Sequence, residues 1–139
     1  MWTCPKCKRT FTRDHQAHSC NDKSIADFLK GKSENVIAMY DHFVRELSAL
    51  GDVQIRATKT AIALSADVRL GDIRRIGKDF VDICFYFDRA YEDNLCFYKI
   101  ANVPGSDQHN HYFRMYYIED LNEEVLMYMK KALKRAKRD

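Results

Sequence analysis

The chain has 139 residues, of which 46% are hydrophobic and 31% charged, and its formal net charge is +3. This is enough apolar material for one ordinary domain, which excludes a disordered or collagen-like chain. No apolar run approaches the roughly 18 residues that a membrane helix needs, and the first residues do not resemble a secretory signal, so we expect a cytoplasmic protein that does not associate with membranes.

The first 22 residues carry a cysteine and histidine pattern that is typical of a zinc knuckle. The CPKC sequence at residues 4–7 places two thiolates on one tight turn, and further ligands follow in the same segment. The predicted ligands of a structural Zn²⁺ ion are Cys4, Cys7, His18 and Cys20. From spacing alone, His15 is an alternative to His18. Because so short a segment cannot bury its own core, zinc would hold it together, and we divide the chain into a zinc-knuckle segment, 1–22, and a domain, 23–139.

Two helices are predicted next. Ser24 is expected to cap a short helix that stops at Gly31, and Ser33 to cap a longer helix that ends at Gly51 in the usual C′ role. The apolar residues of the longer helix follow the helical period. They are Val36, Ile37, Tyr40, Phe43, Val44, Leu47 and Leu50.

From Val53 onward the apolar period changes to two, which predicts strands. The predicted strands are Val53–Ala57, Ala61–Ala66, Val68–Ile76, Phe80–Asp88, Leu95–Ala101 and His111–Tyr117. A hairpin turn is expected at Gly77-Lys78. In the fourth strand one face would hold Val81, Ile83, Phe85 and Phe87, and the other Asp82, Cys84, Tyr86 and Asp88. This alternation indicates an antiparallel sheet with one covered and one more open face.

A closing helix is predicted after the last strand. Asp120 stands three residues before Glu123, as in a capping box, and basic residues fill the far end of the helix, where they complement its dipole. The order of elements predicts an α+β fold: an antiparallel sheet of about five or six strands packed by helices, with an N-terminal zinc knuckle.

The N-terminal sequence resembles that of a family of small bacterial proteins of unknown function. The matching pieces are MWTCPKC at residues 1–7, RTF at 9–11 and HSC at 18–20, and the last of these favours His18 over His15 as the zinc ligand. The rest of the chain is similar, at scattered positions, to the family's uncharacterised α+β domain. Similar domains also occur behind PD-(D/E)XK-type nuclease modules, so the resemblance implies a nucleic-acid setting but supplies no catalytic residues.

Basic residues gather in and around the central strands. They are Arg56, Lys59, Arg69, Arg74, Arg75, Lys78 and Arg114. With tyrosines such as Tyr86, Tyr98 and Tyr112, they would form a basic sheet face that binds DNA or RNA through charge and stacking. The alternative is an ordinary solvated face whose charge is balanced by nearby acids. Those acids are Asp72, Asp79, Asp82 and Asp88.

Other functions stay open. The aromatic face, through Tyr86 and Tyr98, would suit a protein partner or a second copy of the chain. A metal-dependent hydrolase would use His109 and His111, although the contiguous sequence His109-Asn110-His111 does not have the spacing that an HNH nuclease needs. No phosphate loop, nucleophile elbow or PD-(D/E)XK order is found. The sequence therefore favours a non-catalytic, zinc-containing binding module. Cys84 and Cys96, which lack ligand spacing, are expected to be small buried hydrophobes.

Overall fold

An antiparallel sheet forms the centre of the molecule. The computed structural model describes residues 1–5, 10–14 and 24–137. Its elements are the hairpin strands β1 (Trp2–Thr3) and β2 (Thr10–Phe11), the helices α1 (Ile25–Leu29) and α2 (Glu34–Leu50), the strands β3 (Gln54–Ala57), β4 (Ile62–Ser65), β5 (Arg69–Ile76), β6 (Val81–Phe87), β7 (Lys99–Asn102) and β8 (His109–Met115), a 3₁₀ turn (Ile118–Asp120) and the helix α3 (Glu123–Ala136). The six-stranded sheet has the order β3-β4-β5-β6-β8-β7 and every pairing is antiparallel. The predicted α+β class and sheet are confirmed.

The helices begin where the sequence predicts. Ser24 and Ser33 are the N-caps of α1 and α2, and each hydroxyl accepts a backbone N–H bond three residues along the chain, at 3.2 Å in both cases. Gly31 has the positive φ of 74° expected at a stop. Gly51 ends α2 for a different reason than predicted, because its backbone is extended. A Cβ there would lie 2.9 Å from Nζ of Lys137 and 3.1 Å from Cδ2 of Leu133, so this end of α2 closely approaches side chains of the end of α3.

The core lies on one face of the sheet, and all three helices pack there. Strand β6 alternates as predicted, with one set of side chains turned toward the helices. The fully buried large side chains include Met39, Phe43, Leu47, Ile62, Leu64, Leu70, Ile73, Ile83, Phe85, Met115 and Met129. The predicted turn at Gly77-Lys78 is also present, since Gly77 N–H donates to the carbonyl of Phe80 at 2.8 Å.

The predicted strand Leu95–Ala101 is wrong in its first half. The Asn94 side chain accepts hydrogen bonds from the backbone N–H groups of Cys96 and Phe97, at 3.1 and 2.7 Å. These local bonds compete with the sheet ladder, and the strand begins only at Lys99.

The start of the last helix also differs from the prediction. The carboxylate of Asp120 accepts the N–H groups of Tyr116 and Tyr117, at 2.8 and 2.9 Å, and so ends the strand rather than capping the helix. Asn122 is the N-cap of α3, its side chain accepting from Val125 N–H at 3.0 Å. Strand β8 therefore spans His109–Met115, two residues earlier than predicted.

We predict that Gly71→Ala destabilises the protein by about 3 kcal/mol, because a Cβ at this position overlaps the carbonyl oxygen of Cys84 and lies 3.3 Å from Cα of Phe85. The backbone of β6 cannot move away without disturbing the sheet. Urea unfolding measures the change. Gly105→Ala is the control, since a Cβ at Gly105 would meet open space. Its cost should be only the backbone strain of an alanine at a φ of 78°, about 1 kcal/mol. Equal costs for the two variants would contradict this packing argument.

Candidate functional site

The sheet face opposite the helices carries polar and aromatic side chains, and we call it the polar face. It is formed by Arg56, Arg69, Asp72, Arg74, Arg75, Asp82, Cys84, Tyr86, Lys99, Tyr112 and Arg114, which cross-strand register and contacts place on one side. The three helices lie on the other side. Long side chains from neighbouring strands, rather than a described helix, therefore cover the middle of β6.

A β-bulge places two consecutive arginines on the polar face. Ile73 pairs with Ile83, but the next paired residue is Arg75, which is opposite Asp82, so Arg74 is the extra residue. Arg74 reaches Asp72, with 3.4 Å between Nε and Oδ1, and therefore lies on the same side as Arg75. A regular strand would have placed these two side chains on opposite faces.

The carboxylates of the polar face are buried and bound to tyrosines. Asp72 is only 4% exposed and accepts the hydroxyl of Tyr86 at Oδ2, at 2.5 Å. Asp82 accepts the hydroxyl of Tyr98 at both oxygens, at 2.8 and 2.9 Å. Burial and, next, the bond to Asp82 raise the pKa of Tyr98 to about 12. Burial and then the bond to Asp72 raise the pKa of Tyr86 as well, so both phenols are neutral donors at physiological pH.

Cations surround the aromatic rings of this face. The guanidinium of Arg74 and the ammonium of Lys99 each lie 5.3 Å from the centre of the Tyr112 ring. Arg114 lies between Phe80 and Tyr98, 4.5 and 5.0 Å from their ring centres. Contacts of this length hold the cationic groups in place over the sheet.

The basic charges of the face exceed the acidic ones. Its strand residues include Arg56, Arg69, Arg74, Arg75, Lys99 and Arg114 against Asp72 and Asp82. The acids partly neutralise Arg74 and Arg114 through ion pairs with N–O distances of 3.4 Å. Of the predicted basic residues, all but Lys59 and Lys78 lie on this face. Those two are exposed in the β3–β4 and β5–β6 turns, which the register brings to the same end of the sheet.

His111 lies on the helix side of the sheet and is fully buried. Its Nε2 accepts the backbone N–H of Tyr91 at 2.9 Å, so Nδ1 carries the proton and donates to the carbonyl of His109 at 3.0 Å. Burial lowers its pKa, and the rings of Phe87 and Phe97 lie against it. Neither nitrogen has a free lone pair for a metal, so this geometry does not favour the hydrolase hypothesis.

The described residues contain one of the four predicted zinc ligands. Cys4 is buried and directly follows β1, and the paired strands β1 and β2 bracket the CPKC sequence along the chain. Cys7, His18 and Cys20, like the alternative His15, lie outside the described residues. Within the described ranges no group of three or more His, Cys, Asp or Glu side chains could hold a metal ion.

The two downstream cysteines differ in their surroundings. Cys84 is fully buried, as predicted, though on the polar face, and burial together with Asp72 raises its pKa to about 12. Cys96 is half-buried, and its thiol pKa is also raised to about 12, first by burial and then by Glu124. Neither is a thiolate at neutral pH.

The arrangement defines an α+β domain whose sheet is covered by helices on one face and by arginines and aromatic rings on the other. Residues 25–134 match a domain of unknown function (DUF5655), and the chain belongs to this family. The prediction of membership in a family of unknown function is thereby confirmed. No curated protein and no solved structure matches the chain. None of the helices in the described ranges is long and apolar enough to cross a membrane.

We predict that His111 makes stability depend on pH. Because its folded-state pKa lies below the ordinary value of 6.5, the unfolded chain takes up a proton first as the pH falls. Its contribution is therefore complete above about pH 6.5 and is lost below it, by at most about 1.4 kcal/mol per pH unit. Urea unfolding from about pH 8 to 5 should show a shallower decline for His111→Gln than for the wild type. Parallel curves would refute this role.

Proposed function

We propose that the polar face binds nucleic acid and that the protein is a non-catalytic binding module. The observation that carries the proposal is the charge arrangement, in which six basic side chains of the strands surround two carboxylates that are themselves buried. A phosphate backbone that approaches this face meets guanidinium and ammonium groups first. Release of its counterions would drive binding.

The aromatic rings favour a single strand over a duplex. Tyr98 is 52% exposed, and Tyr112 and Phe80 are half-buried beside cations. Unstacked bases stack on such rings whatever their sequence, whereas a duplex keeps its bases paired and offers only its backbone. The nuclease-associated setting that the family resemblance implies is in line with this proposal.

The alternative of a protein partner or self-assembly has less support. It rests on an aromatic contact surface, but Tyr86 is only 8% exposed and its hydroxyl is bound to Asp72. Tyr98 therefore remains as the large exposed ring of the predicted pair. An association that survives high salt would favour this alternative.

Arg74→Gln/Arg75→Gln tests the proposed interface. Glutamine removes two charges without placing a carboxylate beside Asp72. If both arginines contact phosphates of a single strand, the variant should bind about 25-fold more weakly at about 0.1 M salt, and the slope of log affinity against log salt should fall by about 1.4. Fluorescence anisotropy with labelled oligonucleotides of about 12 nucleotides measures both quantities.

Lys130→Gln/Lys134→Gln is the matched control. It removes the same charge from exposed positions on α3, on the other side of the sheet. Its affinity should stay within about twofold of the wild type, since screened charges at that distance contribute little. Equal losses in the two double variants would show that binding is non-specific, and salt-independent binding would reject the proposal.

We further propose that the N-terminal segment holds one structural Zn²⁺ ion through Cys4, Cys7, His18 and Cys20. Thiolate and imidazole donors are those that zinc prefers, and the buried Cys4 beside a short hairpin fits a closed site. Such thiolates persist in a reducing compartment, so we place the protein in the cytoplasm. The ion would have a structural role, holding the segment together, rather than a catalytic one.

Elemental analysis of the purified protein should find one zinc ion per chain. Cys4→Ser and Cys20→Ser should each lose most of the metal, because a hydroxyl is a much poorer zinc ligand than a thiolate. Cys96→Ser should keep it, since this cysteine lies between Asn94 and the β7 strand, away from the predicted ligands in sequence. Full zinc content in all three variants would contradict the ligand set.

A further inference from the structure

A depression opens on the polar face beside a buried carboxylate. Its volume is about 380 Å³, which is ample for one nucleobase. It is lined by Thr60, Ala61, Arg69, Asp72, Arg74 and Tyr86. The lining thus combines one carboxylate, two guanidinium groups and an aromatic ring.

The Asp72 carboxylate has unused hydrogen-bonding capacity. Oδ2 accepts the Tyr86 hydroxyl, but Oδ1 is buried and accepts no hydrogen bond. Arg74 lies 3.4 Å from Oδ1 as an ion-pair partner, with 42% of its side chain exposed. An unmade hydrogen bond at a buried carboxylate is costly. A swing of the exposed Arg74 side chain would open Oδ1 to a ligand that donates to it.

The chemistry of the lining distinguishes among the bases. Guanine presents two adjacent donors, N1–H and the N2 amino group, which a carboxylate accepts together, and its O6 and N7 accept from a guanidinium. Uracil and thymine present a single N–H between two carbonyl oxygens. Those oxygens are repelled by a carboxylate, so these bases fit the depression poorly. Adenine and cytosine present one amino group each and match the carboxylate less fully.

We infer that this depression holds one unstacked base of a bound single strand and selects guanine, with Asp72 accepting from its Watson–Crick edge and Arg69 donating to O6 or N7. The inference rests on the proposed function, because the polar face must first bind the strand. It adds a sequence preference that charge and stacking alone do not give.

The test compares oligothymidylates of about 12 nucleotides that carry G, A, C or T at one central position. Anisotropy titrations should show the G-containing strand binding the wild type about tenfold more tightly than the all-T strand. Asp72→Asn should abolish this preference while general binding stays the same or rises, since a negative charge is lost. Asp82→Asn, which removes the same charge from a carboxylate whose two oxygens are already bonded, should keep the preference.

The outcomes separate the two proposals. Equal affinity of the wild type for all four strands, or a guanine preference that survives Asp72→Asn, overturns the base site and leaves nucleic-acid binding intact. Absence of binding to every strand at low salt overturns the proposed function itself. Should Asp72→Asn not fold, Arg69→Gln replaces it, since Arg69 is exposed in the same depression. That variant should lower the guanine preference, and an unchanged preference would count against the site.

Discussion

The fold depends on a central strand that is buried on both faces although one of its faces is polar. Every residue of β6 is buried. On one face its apolar side chains pack against the helices, as in any helix-covered sheet. On the other face Asp82, Cys84 and Tyr86 lie under side chains from adjacent strands. A buried carboxylate is tolerated only when it is paired and hydrogen-bonded, so this strand dictates which residues its neighbours must supply.

Asp82 of β6 receives its hydroxyl from Tyr98, just before β7, and its guanidinium from Arg114 of β8. Asp72 of the neighbouring strand β5 receives its hydroxyl from Tyr86 of β6 and its guanidinium from Arg74. The same side chains carry long apolar stems and flat rings, which exclude water from the strand beneath. The side chains that stabilise the buried carboxylates are thus the ones that the proposed binding would use. The acids are buried beneath the cations that pair with them, and those cations extend outward.

Local patterns in the sequence predicted the helices and strands but not which side chains contact each other across the sheet. Ser24 and Ser33 acted as caps because capping depends on nearby backbone. Asn94 and Asp120 redirected neighbouring backbone in ways that alternation does not reveal. A signal for two bulges in β5, at Leu70 and at Arg74, was present, since Leu70, Ile73 and Ile76 are all buried at a spacing of three, which a regular strand cannot satisfy. The pairing of each aspartate with a tyrosine depends on register between distant strands, and the sequence alone does not specify that register.

Buried polar groups on the two faces of the sheet differ in how fully they are satisfied. His111, on the core side, uses both ring nitrogens in bonds to backbone, as a purely structural polar group does. In the part of the chain that the structure describes, the buried side-chain atoms without a hydrogen bond are Oδ1 of Asp72 and Nε of Arg114, and both belong to the polar face. Oδ1 of Asp72 keeps only its ion pair with Arg74, at 3.4 Å, and a buried polar atom without a hydrogen bond costs about 1–3 kcal/mol. Among the described residues, both atoms therefore lie on the face that we propose as the binding surface, whereas His111 on the core side has both ring nitrogens bonded.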